Sequence, residues 1–233
     1  MGVQERQQKE KMILDAAIRL FTEKGFAATT MDDVAKSAKI SKGLTYFYFK
    51  NKEDLYLAMT KKAFDELKDV FREVYKNKAR TGLDMITELA NNYVKFARGS
   101  RIYYQAVLDF LGTVQLYNDE HLRQKINPLI LQSEHFQKLL EMHHDCAKIG
   151  AQMVALGTKD GSIRAELNPE VAFYTVWAML IGFEKLMGPV SYEPKDTKIQ
   201  LETWKPGFTK LLQDMLKGTF QAVKVQPVQT SLF

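Results

Sequence analysis

Cysteine is almost absent from this 233-residue chain: Cys146 stands alone. A single thiol excludes an intrachain disulfide and points to a reducing compartment. The N-terminus has no apolar signal-peptide core. It begins Met-Gly, but Arg6 stands where a myristoylation motif requires Ser or Thr. The longest strongly apolar helical segment, Val171 to Phe183, is too short to cross a bilayer. A cytoplasmic location is therefore expected. After Lys52 there is no convincing strand pattern, repeat or low-complexity tract. The chain also lacks a Ser-His-Asp order, a glycine-rich phosphate loop and a paired-carboxylate motif. Nothing supports catalysis, so neither an enzyme nor a cofactor is expected.

The cluster His143-His144-Asp145-Cys146 invites a metal reading. Adjacent helical residues point in different directions, so four in succession cannot converge on one ion. His143 and Cys146 have ligand spacing but no third group. No metal site is expected, and Cys146 reads as a small core residue.

What is present is ordinary globular composition, with 45% apolar and 26% charged residues. The length allows one small and one larger domain. Net charge is +5, and its distribution says more than its sum. Residues 1–52 hold ten Lys and Arg against six Asp and Glu, which leaves 23 against 22 for the other 181 residues. Basic charge concentrated at one end is the electrostatic footprint of a nucleic-acid partner.

Within that end, Met12, Ile13, Ala16, Ala17, Leu20 and Phe21 recur at helical spacing, and Gly25 ends the helix. Thr30 with Asp33 forms an N-cap pair, and Asp32 and Asp33 suit the positive end of the helix dipole. Val34, Ala35 and Ala38 face inward. Ser41 caps a third helix, through which Leu44, Thr45, Tyr46, Phe47, Tyr48 and Phe49 run without a charge. Lys39, Lys42, Lys50 and Lys52 bracket this run. Burial alone explains one apolar face but not these lysines, so part of the helix should face phosphate. Two short helices joined by a tight turn are how a small domain places a helix in a DNA groove.

These residues resemble the N-terminal domain of the TetR (tetracycline-repressor) family of transcriptional regulators. The likeness runs through Gly25-Phe26, Thr29-Thr30-Met31-Asp32-Asp33-Val34-Ala35, Ala38 and Ile40-Ser41-Lys42-Gly43. It continues through Tyr46-Phe47-Tyr48-Phe49-Lys50-Asn51-Lys52 and Glu53-Asp54-Leu55. It covers the first quarter of the chain closely and the rest only in helical layout. Two positions depart from the pattern: Lys39 replaces the usual turn glycine, and Thr45 the usual aliphatic residue. Lys39 in a left-handed turn carries a conformational cost but adds a basic group.

The resemblance implies an all-α protein. A three-helix helix-turn-helix domain (residues 1–52) precedes a larger helical effector-binding and dimerisation domain (53–223) and a tail (224–233). Lys42 and Leu44 are the expected base contacts, Lys for guanine and Leu44 for a thymine methyl. The resemblance gives Tyr46 and Lys52 mainly to phosphate, has Thr30 cap its helix and contact backbone, and leaves Phe47 and Tyr48 at the surface. Lys39, Ser41, Thr45 and Lys50 complete the DNA-facing set, whereas Phe49 is expected in the core.

In the larger domain, amphipathic helices are predicted from Leu55 to about Lys78, over 81–98 and 101–117, and from Pro128 to about Leu156. Asn168-Pro169-Glu170 is a helix start opening a segment that runs to about Met187. Residues 189–202 read as a linker. The last helix carries Phe208, Leu211, Leu212, Met215, Leu216 and Phe220 on one stripe. With Met179, these are the expected dimer interface; the resemblance implies a four-helix bundle between two copies. An effector cavity in that domain would draw on Tyr103, Tyr104, Phe110, Phe136, Met142, Phe173, Trp177 and Phe183. His135 and Glu184 are its polar groups.

The partners expected are therefore a double-stranded DNA operator, a second copy of the chain, and a small apolar or aromatic effector, with no membrane. The leading expectation is a repressor released from a pseudo-palindromic operator by that effector. A constitutive regulator or activator, or a helical carrier or enzyme with a vestigial DNA-binding domain, stands as the alternative.

Overall fold

A computed structural model describes residues 2–77, 79–187 and 201–219. The chain is all-α, and no strand occurs among the described residues. The order is α1 (Val3–Ala28), α2 (Met31–Ser37), α3 (Lys42–Tyr48), α4 (Lys52–Lys76), α5 (Gly82–Gly99) and α6 (Arg101–Asn118). After a 3-10 turn at Arg123–Lys125 come α7 (Pro128–Leu131), α8 (Glu134–Asp160), α9 (Pro169–Met187) and α10 (Leu201–Lys217). Phe220, the tail 224–233 and most of the expected linker lie outside the described residues.

Two compact units form, and they do not divide at residue 52. The first comprises Met1–Lys78 with Glu88–Gly150, so the N-terminal helices share it with α4, α6 and α7. Its centre is α4, where Leu55, Met59, Ala63, Phe64, Leu67, Phe71 and Val74 are buried at i, i+4, i+8 spacing and its variants. Asn51 caps this helix by accepting the Asp54 N–H at 2.7 Å, and Glu53 and Lys76 complement the dipole at opposite ends. Against α4 lies α6. Phe64 meets Phe110 edge-to-face at 5.4 Å, and the Tyr56 hydroxyl donates to Asp109 Oδ2 at 2.6 Å. Burial, then the Asp109 carboxylate, hold the Tyr56 hydroxyl far above its ordinary titration range.

The helix expected to run unbroken from Pro128 is in fact two. Ser133 interrupts it, and its Oγ accepts the His135 N–H at 3.2 Å at the start of α8. The same hydroxyl donates to buried Asp54 Oδ1 at 2.6 Å, while Asp54 Oδ2 accepts the Lys50 N–H at 3.1 Å. One buried carboxylate thus ties the exit of α3 to the entry of α8.

The second unit comprises Ala79–Thr87 with Ala151–Phe233. A Cβ on Gly82 would lie 2.1 Å from the Gly157 backbone nitrogen, so only glycine permits this approach of the two backbone segments. The start of α5 is held by the end of α8: Gly82 N–H donates to Asp160 Oδ2 at 2.8 Å, and Leu83 N–H to Ser162 Oγ at 3.1 Å. Asn168 caps α9 as its sequence signal predicts, accepting the Glu170 and Val171 N–H groups at 3.0 Å each. Phe208 of α10 stacks on Phe183 of α9 with centroids 4.5 Å apart.

Candidate nucleic-acid interface

The geometry begins where α1 stops. Gly25 adopts φ +80°, breaking the helix, and the buried Thr29 hydroxyl donates to the Gly25 carbonyl at 2.8 Å. Thr30 then opens α2 with a capping box: its Oγ1 accepts the Asp33 N–H at 3.2 Å, and Asp33 Oδ2 accepts the Thr30 N–H at 3.0 Å. Lys24 pairs with the same carboxylate at 2.7 Å. The Lys24 ammonium first, and the Thr30 hydrogen bonds next, hold the Asp33 carboxyl well below the usual carboxylate range.

Lys39 makes the turn from α2 to α3 in the left-handed region, with φ +56°. Its N–H donates to the Lys36 carbonyl and the Ile40 N–H to the Ala35 carbonyl, both at 3.1 Å. This pair of bonds closes α2 in a Schellman motif, in which the left-handed residue is ordinarily glycine. The side chain stays exposed. Ser41 next caps α3, accepting the Leu44 N–H at 3.2 Å.

On α3, buried Phe49 anchors the exit as the sequence predicts. Thr45 requires a correction. Placed with the DNA-facing residues by its sequence position, it is wholly buried, its hydroxyl donating to the Ser41 carbonyl at 3.2 Å. A β-branched residue with a satisfied hydroxyl replaces aliphatic packing beneath the helix. Leu44 and Tyr48 are half-buried, while Lys42, Tyr46, Phe47 and Lys50 point outward. Lys42 is braced by Asp32 at 2.8 Å and lies 6.0 Å from the Tyr46 ring centroid.

Lys52, assigned to phosphate from the sequence, is partly turned inward. Its ammonium donates to the carbonyls of Phe26 at 2.9 Å and Ala27 at 3.4 Å, and lies 4.4 Å from the Phe26 ring centroid. It fastens the end of α1 to the start of α4. The same seam holds an aromatic cluster in which Phe26 and Phe21 meet Tyr56 at 4.9 and 5.7 Å. Sequence reasoning does not reach Tyr56–Asp109 or Asp54–Ser133. The acidic first turn of α4 and the Ser133-Glu134 pair are their local signals, but nothing in sequence joins residues so far apart.

The expected effector residues divide between the units. In the first, buried Phe110 and Phe136 lie 6.0 Å apart, Phe136 meets Tyr117 at 5.1 Å, and Tyr104 meets Tyr93 at 6.1 Å. Tyr103 and Met142 are buried, and burial also lowers the His135 pKa from its ordinary value. In the second unit, Phe173, Trp177, Phe183 and Glu184 are buried, with Phe173 5.6 Å from Trp177.

The expected dimer stripe also needs correction. Leu212 and Leu216 are completely buried within the chain, and Phe208 is engaged with Phe183. Leu211 is 53% exposed, and Met179 and Met215 are half-buried. Among the described residues of this unit, the exposed large apolar side chains are instead Val171, Tyr174, Leu186 and Leu211.

Among the described residues no three potential metal ligands assemble. Burial lowers the His143 pKa to about 4 and pushes the Cys146 thiol up to about 12, leaving an inert core thiol. No helix among the described residues is long and apolar enough to cross a membrane.

A capped pair of short helices, closed by a tight turn and presenting lysines and aromatics, defines an all-helical protein of the helix-turn-helix DNA-binding class. Residues 13–59 match the family described as bacterial regulatory proteins, tetR family. The HTH-type transcriptional repressor KstR2 of Rhodococcus jostii (strain RHA1) is 29% identical over 161 residues, which span 69% of this chain and 71% of that protein. The uncharacterized HTH-type transcriptional regulator YuxN of Bacillus subtilis (strain 168) is 44% identical over 59 residues, but these span 25% of this chain and 20% of that protein. Among solved structures, a TetR/AcrR-family transcriptional regulator from Thermobifida fusca has TM-score 0.64 at 21% identity, covering 89% of this chain and 97% of that one. AibR, solved in complex with isovaleryl coenzyme A and operator DNA, has TM-score 0.57 at 17% identity, covering 89% and 97%. Residues 13–59 thus carry a tetR-family regulatory domain, and the rest of the chain is similar to TetR-family transcriptional regulators in sequence and helical fold.

Proposed function

We propose that the protein is a cytoplasmic homodimeric repressor that leaves a pseudo-palindromic operator when a small apolar or aromatic effector binds its larger helical domain. The observation that carries the DNA side of this reading is α3. Lys42 and Tyr46 face outward from this helix, and Lys50 lies exposed just beyond its end, while the cap, turn and underside are each held by hydrogen bonds or burial. Two such helices about 34–36 Å apart would meet successive major-groove faces of one duplex. The second copy is supported by the exposed apolar residues of α9 and α10.

For the effector, the support is the aromatic and Met-rich composition of α6, α8 and α9, together with the isovaleryl coenzyme A named for AibR. Coupling of about 1–3 kcal/mol between effector and DNA would weaken operator binding roughly 5- to 150-fold. The test is selection of duplexes from a random-sequence pool by the purified protein, followed by titration of the selected duplex complex with acyl-CoA thioesters and apolar aromatic compounds. A palindromic consensus, and release by one compound class, are expected. Failure to enrich any sequence would overturn the reading.

A further inference from the structure

We propose that Phe47 is a specificity-determining residue which reads the 5-methyl group of one thymine in each operator half-site. The proposal rests on the DNA-binding reading of α3 and deepens it. Phe47 is 68% exposed, the most exposed aromatic side chain among those described, and it stands on a helix flanked by exposed Lys39, Lys42 and Lys50. Phe47 does not stand singly: exposed Tyr46 and half-buried Tyr48 adjoin it, and a partner covering this aromatic surface amid lysines would supply the burial that water does not. The surrounding positive charge selects a polyanion as that partner.

The ring is also oriented. It meets Tyr48 edge-to-face, with centroids 5.4 Å apart and planes at 88°, while Tyr48 itself is half-buried. One turn earlier on the same side lies Gly43. A Cβ added there would meet nothing within 4 Å, so packing does not demand glycine at that position. Its bare backbone leaves open the approach to the helix beside the Phe47 ring. Lys42 and Tyr46 occupy the neighbouring strip of the surface, where charge and hydroxyl are available.

Phenylalanine has no donor or acceptor and cannot read the hydrogen-bonding code of base edges. The apolar group that a major-groove edge offers is the thymine methyl. Wedging between base steps belongs to minor-groove binders, whereas a helix of this kind is admitted by the major groove. Phe47 therefore favours thymine over cytosine at its position, while Lys42 provides the polar contact beside it.

The test uses the full-length protein and the duplex it selects. Each thymine is replaced singly by deoxyuridine, which removes one methyl and leaves every hydrogen bond. The wild type should lose about fourfold in affinity at one thymine of each half-site. Phe47→Ala should bind the thymine and deoxyuridine duplexes equally there, with an unchanged thermal melt because the ring is exposed. If Phe47→Ala binds too weakly to compare, Phe47→Leu should retain a thymine preference and Phe47→Gln should not. Indifference of the wild type to every deoxyuridine, or an undiminished preference in Phe47→Ala or Phe47→Gln, would overturn the inference. Operator binding itself would survive that result, since only failure to select any duplex removes the reading on which the inference rests.

Discussion

Replacing Lys39 by glycine should move stability and DNA binding in opposite directions. Lys39 occupies φ +56°, where a side chain with a Cβ is strained by about 1–2 kcal/mol. Glycine removes that strain but gives the unfolded chain more freedom, which takes back about 0.4–1 kcal/mol. The two Schellman bonds involve only backbone and persist. The net expectation is a gain of about 0.5–1 kcal/mol, or roughly 2 °C in melting temperature for a chain of this size. The same change deletes an exposed ammonium beside α3. If that ammonium meets a phosphate, the slope of log affinity against log salt should become shallower by about 0.9. Lys39→Asn separates the two effects, because asparagine tolerates the left-handed region while losing the charge. Calorimetry and salt-dependent duplex titration read the two quantities. A lower melting temperature for Lys39→Gly would refute the strain argument. An unaltered salt slope would remove Lys39 from the phosphate surface.

That some features are legible in the amino-acid sequence, while others are not, follows from the range of the forces involved. Thr30 with Asp33, Ser41 before Leu44, and Asn168-Pro169-Glu170 are contacts within one helical turn, so adjacent residues suffice to reveal them. The left-handed turn at Lys39 is legible through the resemblance, which places a glycine at that position. The burial of Thr45 is not, because exposure on a seven-residue helix depends on what lies beneath it. The run Leu44 to Phe49 has no polar–apolar contrast with which to fix its rotation. The same degeneracy hides the outward face of α9, which is apolar on every side. Periodicity there cannot say that Val171 and Tyr174 face out while Val176 and Trp177 face in. Leu212 and Leu216 share one stripe with Leu211 in sequence, yet folding consumes the first two and leaves the third exposed. The Asp54–Ser133 bond spans 79 positions and leaves no periodic trace.

Two further predictions follow from these corrected positions. Ser133→Ala should destabilise the chain by about 2–3 kcal/mol in urea unfolding, because it removes the α8 cap and leaves a buried Asp54 oxygen without its donor. Since Asp54 also accepts the Lys50 N–H, duplex affinity should fall too; a stability change within about 0.5 kcal/mol would refute the linkage. The proposed association surface can be tested by contrasting exposed with buried positions on α9 and α10. Tyr174→Glu with Leu211→Glu should yield folded monomers in sedimentation, because both side chains lie on the exposed apolar surface and a charge there opposes pairing without entering the core. Leu212→Glu should instead unfold the chain, since its side chain is already enclosed and an unpaired buried charge costs about 3–5 kcal/mol. A folded, monomeric Leu212→Glu variant beside a dimeric Tyr174→Glu, Leu211→Glu variant would reverse the assignment. The stripe expected from sequence would then be the interface after all.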